Sequence, residues 1–359
     1  MRTSRDRDTT AERLTVWLRA TVGDPDARIV DLRVPEGSGM SSETLLFDAV
    51  YDDGSGTATH ALVARLAPDP VDVPVFASYD LELQFRVLGL VGSHSAVPVP
   101  TPRWLELDAG AIGTPFFVME RRSGRVPADI PPYVFGGWLL DADPADQRLL
   151  QDATVGLLAD LHGIDVTAHD TAYLAVDAPG DTALRRHVND QLAFYDWVRG
   201  DRRHRIVDDA FAWLEANWPE TERMVISWGD ARIGNVMYAS DGFEPVAVFD
   251  WEMASLGPPE LDLGWMVFLH SFFQEIAEVL ERPGLPDFMR RDDVVATYCA
   301  RSGTVVEDLH WFEVYAATRH AVIMSRIRDR SVRFGEATWP DDIDEVIPHR
   351  ALLRRMIEA

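Results

Sequence analysis

The 359-residue chain contains no lysine; all 34 of its basic residues are arginine. That absence removes any chemistry that needs a lysine, Schiff-base formation included, and with it any phosphate loop of the GxxxxGK(S/T) type. Cysteine is almost as scarce. Cys299 stands alone, which excludes an intrachain disulfide and argues against a cysteine-built metal cluster. No apolar run reaches the ~18 residues of a membrane-spanning helix, so no membrane partner is expected. The opening residues MRTSRDRDTTAER carry charge where a secretory leader would carry an apolar core. Positive charge is in deficit as well. A formal net charge of -25 disfavours a nucleic-acid partner and suits either general surface acidity or a cationic ligand. These absences predict a cytoplasmic protein and leave its oligomeric state open.

What is present reads as a folded chain long enough for two domains or one two-lobed unit. Hydrophobic residues make up 47% of it, with 11 tryptophans. Residues 10–22 predict a helix, with Leu14, Leu18 and Val22 on one side. Three strands follow over 27–34, 43–51 and 59–66, separated by the turn-rich EGSGMSS and DDGSG. A helix is expected over 80–91 and two further strands over 104–108 and 115–120. Beyond RRSGRVP the pattern turns helical, over about 150–161, 182–199 and 204–217. Residues 304–334 hold neither glycine nor proline, so long helices are allowed there.

One β segment, 224–250, interrupts the helical half and contains SWGDARIGNV. Asp230 and Asn235 are poor strand formers and costly to bury without partners. The strands VMY and VAVF flank an Asp241-Gly242 hairpin signal, and folding about residues 242 and 243 places Asn235 nearly opposite Asp250. An amide oxygen and a carboxylate then converge beside the loop that carries Asp230. Such hard oxygen ligands suit Mg²⁺, which keeps waters and takes its other ligands from substrate phosphates. The plain alternative is that Asp230 and Asn235 make Asx turns while Asp250 caps the next segment.

WGDARIGNV, followed after a hairpin by VFDWEMASLGPPELDLGW, resembles the aminoglycoside phosphotransferase and choline kinase-like family. That family carries His or Trp, Gly and Asp, then four residues and Asn. It continues with an Asp-Trp-Glu type strand end and a Gly-x-Pro-x-x-Asp-Leu stretch. The resemblance covers about residues 10–350 and implies an α+β, bilobal, protein kinase-like fold. That fold has a small antiparallel β lobe with one helix and a large, mainly helical lobe. It further implies a nucleotide-binding lobe over 1–120 and a helical lobe with catalytic loop and substrate site over 121–359. Residue by residue, Asp230 matches the catalytic base, while Asn235 and Asp250 match the ligands of Mg²⁺. Asp262 resembles the buried aspartate that braces the catalytic loop, and Trp228 stands at a position that serves packing.

The small lobe departs from the family. Arg65 of HALVARLAP occupies the place of the lysine expected on the α- and β-phosphates of ATP. Its expected glutamate partner is replaced by Gln84, with Glu82 two residues away, and either is a candidate. EGSGMSSET lies where the family covers the phosphates, with the backbone of Ser41 and Ser42 as donors. By the same resemblance FFVMERRSG is the hinge: Met119 lines the adenine pocket, and Glu120 and Arg122 offer a carbonyl and an N–H. The implied activity is transfer of phosphate from ATP to an alcohol group of a small molecule. Glu252, Trp265, His270, Trp311 and Tyr315 are candidates to line the acceptor site, and a carboxylate there would suit a cationic acceptor. Two rivals are a nucleotide-binding pseudokinase, suggested by the missing Lys and Glu pair, and a metal-dependent hydrolase.

Overall fold

α1 (Arg7–Val22) is capped by Asp6, whose carboxylate accepts from the Thr9 amide at 2.8 Å, and it stops at Gly23, φ 71°. The chain then alternates buried and exposed residues and forms strands. β1 (Arg28–Arg33), β2 (Glu43–Asp52) and β3 (Thr57–Leu66) make an antiparallel meander. After α2 (Leu81–His94), β4 (Pro102–Glu106) and β5 (Phe116–Glu120) complete one five-stranded sheet of order β1-β2-β3-β5-β4. The computed structural model describes residues 6–35, 43–220 and 223–359.

Side chains of successive strand residues point to opposite faces of a sheet. Phe116 meets Trp17 of α1 at 4.8 Å between ring centroids, and Phe117 meets Phe85 of α2 at 6.2 Å. The two helices therefore cover opposite faces. β4 ends two residues earlier than the sequence suggests, because Asp108 closes a turn by accepting from the Gly110 amide at 2.7 Å. These elements form one compact unit, residues 1–92 with 100–122.

Residues 93–99 with 123–359 form the second unit. Its helices are α3 (Pro144–His162), α4 (Ala183–Arg199), α5 (Arg205–Ala216), α6 (Glu260–Val279), α7 (Arg291–Ser302), α8 (His310–Arg333) and α9 (Arg350–Glu358). Two short antiparallel pairs sit among them: β6 (Val225–Ser227) with β9 (Ser255–Gly257), and β7 (Val236–Tyr238) with β8 (Pro245–Val248). Among the described residues, no helix is long and apolar enough to cross a membrane.

The core of this unit is the crossing of α6 and α8. Trp265 and Phe268 from α6 and Trp311, Phe312 and Tyr315 from α8 are all 3% exposed or less. Gly264 permits the close approach: a Cβ there would lie 2.7–2.8 Å from the backbone and Cβ of Phe312. Gly264→Ala should therefore destabilise the protein by about 1–3 kcal/mol, the usual cost of overpacking, despite alanine's higher helix propensity. A urea midpoint equal to or above that of the wild type would show that the helices are free to separate.

Candidate active site

Asp262 lies in the first turn of α6 and is fully buried. Its Oδ1 accepts from Ser227 Oγ at 2.9 Å and from the Gly229 amide at 2.8 Å. Its Oδ2 accepts from the Trp228 amide at 2.7 Å and pairs with His162 Nε2 at 3.0 Å. The other imidazole nitrogen of His162 meets the Tyr298 hydroxyl at 3.0 Å. One carboxylate thus fixes three consecutive residues at the end of β6. His162 was not legible in sequence, where it reads as the end of an amphipathic helix.

The loop so braced presents Asp230. Its Oδ1 accepts from Trp265 Nε1 at 2.7 Å; its Oδ2 accepts from Asn235 Nδ2 at 2.7 Å and from Arg232 Nε at 2.9 Å. The side chain is 14% exposed. Burial, and after it the negative charge of Asp250, push the carboxyl up to about 7 against the bonds from Trp265 and Asn235. Gly229 makes the turn into this residue at φ 89°, and a Cβ on it would come within 2.1 Å of the Met253 carbonyl oxygen.

Asn235 also donates to the Asp230 carbonyl at 3.1 Å. Both uses of Nδ2 point to Asp230, which leaves Oδ1 as the acceptor side of the amide. The hairpin register differs from the expected one by a residue. Asn235 O accepts from the Phe249 amide at 2.9 Å, so Asn235 lies opposite Phe249 rather than Asp250: the turn sets Tyr238 opposite Pro245, and the irregularity at Met237/Tyr238 recovers only part of the difference. Asp250 follows in left-handed conformation, φ 61°. Trp228 does more than pack: its indole donates to the carbonyls of Phe249 at 2.8 Å and Asp250 at 3.2 Å, tying the two motif halves together.

Asn235 and Asp250 supply one amide oxygen and one carboxylate. No group of three or more His, Cys, Asp or Glu side chains able to hold a metal occurs among the described residues. A two-ligand set of hard oxygens fits Mg²⁺ that completes its shell with waters and phosphate oxygens. Sequence reading missed Arg232, whose guanidinium bridges Asp230 and Asp129. Gly234 leaves room for that bridge, since a Cβ would come within 2.4 Å of Asp129 and 2.7 Å of Arg232.

In the small unit, Arg65 sits on β3, the central strand, between Thr44 and Phe117, and donates to Thr44 Oγ1 at 3.2 Å. It therefore does not stand on an edge strand. Gln84 is 2% exposed, whereas Glu82 points to solvent, 3.9 Å from Arg86. Met119 is buried in β5; Glu120 at its end pairs with Arg103 and, at 3.5 Å, with Arg122. Ser41 and Ser42 lie outside the described residues.

The expected acceptor lining needs correction. Trp265 is spent on Asp230, Trp311 donates to the Leu214 carbonyl at 3.0 Å, and Tyr315 meets His187 at 2.7 Å. All three are core, buried by the α6–α8 crossing. His270 is also bonded, to Tyr133 at 2.8 Å, but together with Phe273 it lines a small recess beside Arg232 and Asp129.

Residues 47–291, more than half of the chain, match the sequence profile of the phosphotransferase enzyme family. The chain belongs to that family. A Ralstonia eutropha protein regarded as an aminoglycoside phosphotransferase superposes with a TM-score of 0.67 at 22% identity, covering 96% of each chain. The GDP complex of aminoglycoside 2'-phosphotransferase-IIIa superposes with a TM-score of 0.58 at 13% identity, over 97% of this chain and 98% of that one. The fold is therefore protein kinase-like. The probable acyl-CoA dehydrogenase IBR3 of Arabidopsis thaliana is 25% identical over 312 residues, 82% of this chain but 36% of its own length. This phosphotransferase-family chain thus spans about a third of that relative.

The raised Asp230 carboxyl has a consequence for stability. The folded state holds this proton more tightly than the unfolded state, whose carboxyl titrates near 3.8. The contribution is therefore full below about pH 4 and is lost as pH rises through about 7. Measured in EDTA, wild type should lose stability relative to Asp230→Asn between pH 4 and 8, by up to on the order of 4 kcal/mol. Parallel urea midpoints of the two proteins across that range would contradict the burial argument.

Proposed function

We propose that this chain is a Mg²⁺- and ATP-dependent phosphotransferase acting on a hydroxyl group of a small molecule. One observation carries the reading: Asp230 is buried, held by three donors and poised near neutral pH, where a general base works best. As the acceptor oxygen bonds to the γ-phosphorus, the bond to the β–γ bridging oxygen breaks and ADP leaves. The hydroxyl proton passes to Asp230. Trp265, Asn235 and Arg232 hold that carboxylate in place, and the Arg232 guanidinium adds positive charge on the side where the phosphoryl group would pass.

Asn235 Oδ1 and Asp250 would hold Mg²⁺, which when bound offsets the phosphate charge that repels the incoming oxygen. In the small unit, Arg65 takes the lysine's place on the α- and β-phosphates, with Gln84 rather than the solvent-facing Glu82 as its buried neighbour. The backbone at Ser41 and Ser42 would cover the phosphates, and Met119, Glu120 and Arg122 would receive the adenine. Residues 1–120 would thus form the nucleotide-binding lobe, and 121–359 the helical lobe with the catalytic loop, metal ligands and substrate site. The GDP complex of a structural neighbour supports a nucleoside triphosphate as donor. The acceptor is read as a hydroxylated small molecule, with the Asp129 and Glu252 carboxylates favouring a cationic one.

Thermal unfolding with ATP tests the metal assignment. ATP should raise Tm far more with Mg²⁺ than with EDTA, and Asp250→Ala should erase that increment. Asp230→Asn should keep the increment while lowering turnover roughly 10²- to 10⁴-fold. An unchanged increment in Asp250→Ala, or near wild-type turnover in Asp230→Asn, would reassign those residues.

A further inference from the structure

Arg319, on α8, is 2% exposed. Among the described residues no carboxylate forms an ion pair with it, and its Nε makes no hydrogen bond. Burial without a paired carboxylate disfavours its charge and depresses its pKa. An apolar side chain of similar size is usually cheaper at such a position. What the guanidinium touches is therefore informative. Its centre lies 4.6 Å from the centroid of the Trp265 ring and 5.8 Å from that of Tyr315, and Nη2 donates to the Gly229 carbonyl at 3.4 Å.

Two of these three contacts are the groups that place Asp230. The Trp265 indole donates to Asp230 Oδ1 at 2.7 Å, and Gly229 is the residue immediately before it. A planar cation can lie against an indole and reach a carbonyl at once; a lysine ammonium, being a point charge, cannot do both equally well. We propose that Arg319 is a positioning residue for Asp230, holding the Trp265 indole by its ring face and the Gly229 peptide by its carbonyl. In reaction terms this rests on Asp230 being the proton acceptor. The arginine touches neither nucleotide nor acceptor in this scheme. It sets where the carboxylate stands.

The test uses the full chain, labelled with ¹⁵N at the tryptophan indoles, with Mg²⁺-ATP as the only added substrate and water as the phosphoryl acceptor. The Trp265 resonance is assigned by its loss in Trp265→Phe. In Arg319→Met that resonance should shift or broaden while those of Trp17 and Trp104, in the other unit, stay in place. Turnover of ATP should fall about 10- to 100-fold, as for a misplaced catalytic group. KM for ATP should stay within about threefold, since the nucleotide contacts are untouched. Where Arg319→Met does not fold, Arg319→Gln, which keeps a polar amide but loses the charge and the reach to the Gly229 carbonyl, decides on the same readouts. An unmoved Trp265 resonance, or a turnover within about twofold of wild type, overturns the proposal. If Asp230→Asn instead leaves turnover intact, the base reading fails, and the resonance still reports whether Arg319 places the indole.

Discussion

A single buried carboxylate converts helix packing into loop geometry. Asp262 is carried by α6, and α6 is held against α8 by an approach that only a glycine at 264 allows. From there Asp262 receives four donors, three of them from the consecutive residues Ser227, Trp228 and Gly229. Hydrogen bonds to a charged group contribute roughly 1.5–3 kcal/mol each, so the loop has little freedom to relax around them. Asp230 is the next residue. Its position follows from the packing of two helices whose other side chains serve the core.

The second half of the motif is attached by an indole. Trp228 donates to the carbonyls of Phe249 and Asp250, so the end of β8 cannot drift from the loop that carries Asp230. The left-handed conformation of Asp250 is a backbone state that aspartate tolerates better than most residues, and it occurs where the strand ends and the acid is needed. The same crowding that brings Asp250 near Asp230 raises the latter's carboxyl. A bound cation would relieve that repulsion, coupling metal binding to the charge state of the proposed base.

Much of this was legible in the sequence, for definite reasons. β2 alternates buried and partly buried residues over Glu43–Asp48 and β5 reads as a short apolar run, both of which mark strands in the small unit. The spacing of Asp230, Asn235 and Asp250 survives as a local pattern because loop and hairpin are contiguous. What escaped was set by tertiary contacts. Residues 261–270 of α6 are buried on every side, so nothing local singles out Trp265, and the sequence offers it as acceptor lining rather than as a donor to Asp230. The hairpin turns one residue earlier than expected, setting Tyr238 opposite Pro245, and the irregularity at Met237 makes up only part of the difference. Arg319 and His162 reach the loop from helices remote in sequence, and no local signal marks them. Membership of the phosphotransferase enzyme family bears out the family resemblance without naming the acceptor.

The central claim is that the Asp262-braced loop transfers phosphate. It is tested most directly by incubating the protein with ATP labelled at the γ-phosphate and Mg²⁺ against a panel of hydroxylated small molecules, amino-alcohols among them. The account predicts that label appears in a stable phosphate ester of at least one acceptor, and that EDTA abolishes the transfer. Tight Mg²⁺-dependent binding of ATP with no label reaching any hydroxyl compound would contradict it.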